Sequence, residues 1–172
     1  AASDVYKRQT FICYQLRPES LGSIHIRSSK PNKQPAIRFN FLHDPIDLRA
    51  MIDGVDIMRK IGESPPMDPY RGEEFKPGKN ISGDTAIESW LRDTGETAYH
   101  PIGTCRMGPG PNAVVDDKLK VHGLEGLRVA DASIFPTMPS GNTTAASIMV
   151  GEKASDLILN VPIARIFILP LT

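Results

Sequence analysis

Twice near its N-terminal end the chain alternates apolar and polar side chains with a period of two. Ile24 and Ile26 are interleaved with His25 and Arg27, and beyond the polar loop Ser28–Pro35, Ile37, Phe39 and Phe41 are interleaved with Arg38 and Asn40. Successive strand side chains point to opposite faces, so the pattern predicts an antiparallel pair with one face buried and His25 on the solvated face. Phe11, Ile12 and Tyr14 suggest a preceding strand, and Arg17–Gly22 a turn.

The period then changes. Asp44 is placed to cap a helix, Pro45 suits its first position and Asp47 adds negative charge to its first turn. Leu48, Met51, Ile52, Val55, Met58 and Ile61 come next at helical spacing, with Gly62 expected just past the end. Ser64–Gly83, rich in proline, glycine and charge, reads as a loop. Its Arg71–Gly78 stretch is taken as a surface connection, with a lid as the alternative. A second, shorter helix is expected behind Ser82 or Asp84, with Ile87, Trp90 and Leu91 inward and Gly95 ending it. Trp90 is read as a core anchor.

After Gly95 the chain alternates short apolar runs with glycine- and proline-rich turns. A strand is expected over Thr97–Ile102, a loop over Gly103–Asn112, an apolar pair at Val114–Val115, a turn at His122–Gly123 and a strand over Leu127–Ala130 ending at Asp131. The loop Pro136–Gly141 then feeds a helix from about Thr143 to Leu159, packing through Ala146, Met149, Val150, Ala154, Leu157 and Ile158. Residues 1–9 join poorly to the apolar stretch beginning at Phe11 and are read as an assembly scar. Residues 161–172, apolar and irregular, receive no role.

Composition narrows the class. The chain has 172 residues, 40% of them hydrophobic, with 20 basic and 20 acidic side chains and no charge blocks. It therefore lacks the footprint of a nucleic-acid-binding surface. Cys13 and Cys105 stand far apart, neither at metal-ligand spacing, and both are read as reduced; no metal is expected. No secretory leader or membrane-length apolar run occurs. The compartment is read as cytoplasmic, with peripheral membrane association left open.

Three features carry chemistry. His100 precedes Pro101, which disfavours helical geometry there, and Gly103 keeps the nearby backbone slim. From the residues alone, His100 suits either a structural role or general acid–base work near neutral pH. Asp131 ends an apolar run, where α/β folds often hold nucleotide hydroxyls. The helix entered through Ser140-Gly141-Asn142 offers unpaired N–H groups and a partial positive charge, which serve either an ordinary cap or an anion.

Tyr99–Gly108 (YHPIGTCRMG), Gly126–Ser133 (GLRVADAS) and Gly141–Leu159 (GNTTAASIMVGEKASDLIL) resemble the C-terminal region of the glucose–methanol–choline (GMC) oxidoreductases, nearest the choline dehydrogenase-like branch. The segments LRPESLGSIHIRSSKP and PAIRFNFL resemble that family's substrate-domain sheet, so the likeness runs over roughly Gln15–Leu159. It implies a mixed α+β and α/β fold: an antiparallel substrate-domain sheet with packed helices over 10–111, then the last strand and helix of a Rossmann-like FAD-binding domain over 112–160.

The resemblance also implies an activity and a cofactor. FAD would oxidise a primary alcohol, choline-like or another small one, to an aldehyde, with oxygen or a quinone-type carrier taking the electrons. His100 would accept the hydroxyl proton while hydride leaves to the flavin, and Asn142 would orient the substrate oxygen. Asp131 and Ala132 would lie along the ribityl or phosphate portion of FAD. Asn142, Thr143 and Thr144 would meet the flavin's pyrimidine edge. The glycine-rich fingerprint G-x-G-x-x-G that cradles the pyrophosphate is absent from the chain. The chain is accordingly expected to be a C-terminal part that needs an N-terminal FAD-binding portion and turns over no substrate alone. A lyase of the same fold and a non-catalytic scaffold are the alternatives, and keeping both His100 and Asn142 argues against the scaffold.

Overall fold

Asp44 starts the first helix as its sequence predicts. Its backbone is extended, at φ −74° and ψ 130°, and its side chain accepts the Ile46 N–H at 2.9 Å. In a computed structural model, which describes residues 10–160, the chain forms two compact units divided between Ala98 and Tyr99. In chain order the elements are β1 (Ser23–His25), β2 (Ala36–Arg38), α1 (Pro45–Gly62), a 3-10 turn (Pro65–Met67), α2 (Asp84–Thr94), a second 3-10 turn (Ala132–Ile134) and α3 (Thr144–Leu159). The segments read as an assembly scar and as a tail without a role lie outside the described residues. The family-based boundary after residue 111 concerns parts of a larger protein and is a different partition from this one.

β1 and β2 pair antiparallel in the register Ser23↔Arg38, Ile24↔Ile37 and His25↔Ala36. Gly22 is needed for close approach, since a Cβ there would lie 2.3 Å from the Arg38 carbonyl oxygen. The expectation of a buried sheet face is corrected: Ile26 is 88% exposed and Phe41 59%. Two strands of three residues form a ribbon, and a ribbon buries a face only when another layer packs on it. None does among the described residues, and Phe39 and Phe41 stack on each other at 5.2 Å. The stretch Phe11–Tyr14 forms no strand.

The core of the first unit lies between the two longer helices. Ile52 and Val55 of α1 are buried with Ile87 and Leu91 of α2, and Leu48, Met51, Met58 and Trp90 pack around them. Gly54 on α1 seats Cys13, whose Sγ would be 2.8 Å from a Cβ at that position. Burial there pushes the Cys13 thiol up. Gly62 is the last residue of α1 rather than the residue beyond it. Glu63, in right-handed helical geometry, closes the helix through its N–H to the Arg59 carbonyl. At the end of α2 the backbone turns extended at Gly95 (φ −64°, ψ 137°), where a side chain would not fit, since a Cβ there would lie 2.5 Å from the Leu91 carbonyl oxygen. The start of α2 falls at Gly83, with φ +78° and no side-chain cap from Ser82 or Asp84.

Two polar anchors hold the loops to α1. Arg59 donates to the Glu74 carboxylate at 3.0 Å and to the Ile81 carbonyl at 2.8 Å, so the Arg71–Gly78 stretch is a fastened connection. Asp47, only 2% exposed, accepts the N–H groups of Glu19 at 2.9 Å and Ser20 at 2.8 Å. Ser20 Oγ in turn accepts the Asp44 N–H at 2.9 Å, so the turn before β1 is riveted to the first turn of α1. Burial alone would push the Asp47 carboxyl up. Hydrogen bonds from the Ser20 hydroxyl, the Glu19 and Ser20 N–H groups and the Gln15 side chain outweigh it and hold the group below the usual carboxylate range.

A carboxyl whose folded pKa is depressed contributes stability above its unfolded value, about 3.9, and loses it as pH falls through the folded value. Asp47→Ala strands two backbone donors and should cost the first unit about 1–3 kcal/mol at pH 7. Urea unfolding followed at pH 7 and at successively lower pH checks this. The gap between the native protein and Asp47→Ala should shrink below about pH 4, and a gap independent of pH would remove Asp47 from this role.

Candidate functional site

The second unit is built from loops laid against one helix. Val115, Leu119, Ile134, Phe135, Val150 and Ala154 form its buried core, with Ile102, Met107, Val114, Ala132, Ala146 and Leu157 packed around them. On α3 the inward stripe is Ala146, Val150, Ala154 and Leu157, whereas Met149 and Ile158, expected inside, are 58% and 60% exposed. They flank that stripe on the helix surface.

The expected strands over Thr97–Ile102 and Leu127–Ala130 are also corrected. The unit has isolated bridges instead: Met107 to Val115, Val115 to Val121 and Lys120 to Arg128. Val115 bridges to both Met107 and Val121, but each bridge is a single residue pair with tight turns between, so no ladder grows. Among the described residues no Rossmann-like sheet is present in this unit.

Short as they are, these pairings position the chemistry. The segment after His100 is gripped from both sides. Cys105 N–H donates to the Ser133 carbonyl at 2.9 Å and Met107 N–H to the Ile134 carbonyl at 2.8 Å, while Gly108 N–H reaches the Val115 carbonyl at 3.0 Å. Gly103, with φ +82°, occupies backbone space that favours glycine, and a Cβ there would lie 3.4 Å from the Phe135 carbonyl oxygen. That is ordinary contact distance, so the positive φ is what favours glycine here. His122 braces the same loop through its Nε2, 3.0 Å from the Gly108 carbonyl oxygen. Left-handed, non-glycine residues stand just before both parts of the candidate site: Tyr99 at φ +61° and Ser140 at φ +58°.

His100 and the start of α3, 43 residues apart, meet. His100 Nδ1 is 3.0 Å from Thr143 Oγ1 and accepts the Thr143 backbone N–H at 3.4 Å. Thr143 is buried, while His100 is half-buried and Asn142 and Thr144 are exposed. As the N-cap residue of α3, Thr143 makes no side-chain bond to its own helix, because its hydroxyl is turned toward the histidine. A Cβ at Gly141 would meet nothing within 4 Å. The end of α3 therefore presents an imidazole, an amide side chain, a hydroxyl and an open backbone approach on one unit.

Asp131 and Ala132 serve structure first. Asp131 caps the second 3-10 turn, its Oδ1 accepting the Ser133 N–H at 2.7 Å, and Ala132 packs on the hydrophobic core. The exposed Asp131 side chain has a second carboxylate oxygen to offer a ligand. Among the described residues no cluster of His, Cys, Asp or Glu could hold a metal ion, and no helix is long and apolar enough to cross a membrane. Sequence reading did not pair His100 with Thr143. No local signal marks a contact between residues so far apart.

An imidazole is thus held at the positive end of a helix, against a residue next in sequence to an exposed asparagine. The chain belongs to the GMC oxidoreductase family, whose description matches residues 18–151. Members of that family are FAD-dependent flavoenzymes, and the choline dehydrogenase-like resemblance holds. The chain is 43% identical over 158 residues to the oxygen-dependent choline dehydrogenase of Escherichia coli strain UMN026, a match covering 91% of this chain and 28% of that protein. Among solved structures it is similar to pyridoxine 4-oxidase from Mesorbium loti, with a TM-score of 0.79 and 29% identity over 84% of this chain and 28% of that one. An FAD-dependent oxidoreductase from Chaetomium thermophilum is similar at a TM-score of 0.79 and 32% identity, over 84% of this chain and 25% of that one. The chain thus spans between a quarter and a third of the length of these relatives.

The capping role of Asp131 is separable from any role toward a ligand. Asp131→Ala should lower the stability of the second unit by about 1 kcal/mol, as loss of a cap does, while Asp131→Asn should hold it. Thermal unfolding of the three proteins checks the difference, and equal midpoints for all three would show that the cap contributes nothing.

Proposed function

We propose that the chain is the C-terminal part of an FAD-dependent enzyme that oxidises a small primary alcohol, choline or one of similar size, to an aldehyde. The observation that carries this reading is the seating of His100 against Thr143, the residue before α3, whose side chain makes no cap bond to the helix. FAD, when bound, supplies the acceptor for the hydride that leaves the alcohol carbon. The chain's own residues do the rest. His100 takes the hydroxyl proton at Nε2, the nitrogen not engaged by Thr143, as the O–H bond breaks and the carbon–oxygen double bond forms. Asn142, exposed beside it, donates to the substrate oxygen and fixes its orientation.

The N–H groups of α3 from Thr144 onward would face the ring edge of the flavin, where the helix end favours negative charge, while Thr143, its own N–H aimed at His100 Nδ1, would hold that end beside the imidazole. Asp131 and Ala132 border the ribityl or phosphate portion of FAD. The residues present fit these duties because the helix end carries no side-chain cap and Gly141 leaves space beside it. The pyrophosphate is held by an N-terminal portion, and the electrons pass on to oxygen or a quinone-type carrier. The 43% identity to a choline dehydrogenase supports the substrate class.

The test joins this segment to the N-terminal FAD-binding part of a related chain and follows flavin absorbance without oxygen while choline and other small alcohols are titrated. Bleaching of the oxidised band is expected, and His100→Ala should slow it by about a hundredfold or more, the scale of a lost general base. A folded, FAD-loaded hybrid that no alcohol reduces, or that reduces equally well without His100, would overturn the proposal.

A further inference from the structure

Among the described residues, the connection 65–83 between α1 and α2 contains no buried side chain. Met67, Glu74, Pro77, Gly78 and Ile81 are half-buried and the others are exposed. Hydrophobic burial therefore does little to hold it, and stretches with few buried contacts are the ones that open locally. Its first part holds itself: the Tyr70 and Arg71 N–H groups donate to the Met67 carbonyl at 2.9 and 3.0 Å, and Arg71 pairs with Asp68. Beyond Gly72, one side chain of α1 grips the loop at three points. Arg59 Nε donates to both Glu74 carboxylate oxygens at 3.2 Å, while Nη2 donates to Glu74 at 3.0 Å, the Gly78 carbonyl at 3.3 Å and the Ile81 carbonyl at 2.8 Å. Chemistry fixes every role here, since a guanidinium only donates and a carboxylate or carbonyl only accepts. A glycine with room to turn stands at each end of this stretch. A Cβ at Gly72 or Gly83 would meet nothing within 4 Å, and Gly83 has φ +78°.

We propose that residues 72–83 form a hinged strap that Arg59 latches to α1, and that the strap opens as a unit while the α1–α2 core stays folded. Its backbone rotation is taken up at the two glycines, as hinges of moving segments often do. One guanidinium holds Glu74, Gly78 and Ile81 together, so its release frees all three at once. The competing anchor is Ile81, which packs on the core of Ile52, Val55, Ile87 and Leu91. Magnitudes favour the latch. Hydrogen bonds to a charged group shift an equilibrium by about ten- to a hundredfold, whereas half-burying one aliphatic side chain shifts it by about four- to tenfold. With side-chain exposures of 20% and 22%, the Arg59–Glu74 pair is also partly sheltered from screening salt. The strap belongs to the first unit and stands apart from the reading of His100 and its chemistry.

The test digests the FAD-loaded hybrid briefly with trypsin, which can cut the strap after Arg71 and Lys79, Lys76 being protected by Pro77. Fragment masses identify the cuts, and those after Arg49 in α1 and Arg92 in α2 report loss of the helices themselves. When opening and closing are fast, cleavage follows the population of the open form. Arg59→Met should raise cleavage after Arg71 and Lys79 by about ten- to a hundredfold, with cleavage after Arg49 and Arg92 unchanged. Glu74→Ala, which leaves α1 intact, should give a smaller rise, since Arg59 keeps its two carbonyls. Ile81→Ala should open the strap less than Arg59→Met does. Parental cleavage of the strap in both Arg59→Met and Glu74→Ala would overturn the latch. So would helix cuts that rise in step with the strap cuts, or an Ile81→Ala protein cut faster than Arg59→Met.

Discussion

The hydrogen bond between His100 and Thr143 makes demands on everything around it. Its two residues lie 43 positions apart, so neither can hold the other without help. On one side, the loop after His100 is pinned to Ser133, Ile134 and Val115 by backbone bonds. On the other, α3 is fixed by Val150 and Ala154 in the core. Hydrophobic burial supplies the cohesion here and is not directional, while the few backbone pairings supply the register. A slip of one residue in the 105–108 segment would carry the imidazole away from the helix end.

The first unit solves a similar problem with a buried carboxylate. Asp47 sits where an apolar side chain would otherwise continue the inward face of α1, and it gathers two N–H groups from a turn some 27 residues earlier in the chain. Burying a charge is costly unless its hydrogen bonds are made, and here they are. Arg59 does the reciprocal work at the other end of α1, reaching the carboxylate and carbonyls of the loop before α2. One helix thereby organises segments on both of its sides.

Much of this was legible from residue order because it is local. The start of α1 follows from Asp44 and Pro45, its inward stripe from the spacing of Ile52 and Val55, and the stop at Gly95 from glycine itself. The family resemblance brought His100 and Asn142 into one site, and the structure puts His100 beside Thr143, the next residue after Asn142. The features that were not legible depend on partners distant in sequence. Ile26 and Phe41 alternate correctly for a buried face, yet burial needs a second layer, and alternation says nothing about whether one is present. The runs around Val115 and Leu127 have strand-like composition, but their pairing stops at single bridges. Met149 and Ile158 are apolar at helical spacing and still lie beside the contact stripe. Gly62 shows how weakly residue type locates a helix end when the next residue, Glu63, closes it.

Both members of the His100–Thr143 pair, and every backbone bond named as holding them, fall on the same side of the division between Ala98 and Tyr99. The geometry is therefore heritable as a block. An exchange of genetic material at that division would hand the intact pair to a new neighbour, whereas a break between His100 and Thr143 would scatter it. A chain recombined at the first of these points would keep the imidazole and the start of α3 in one geometry, whatever it was joined to.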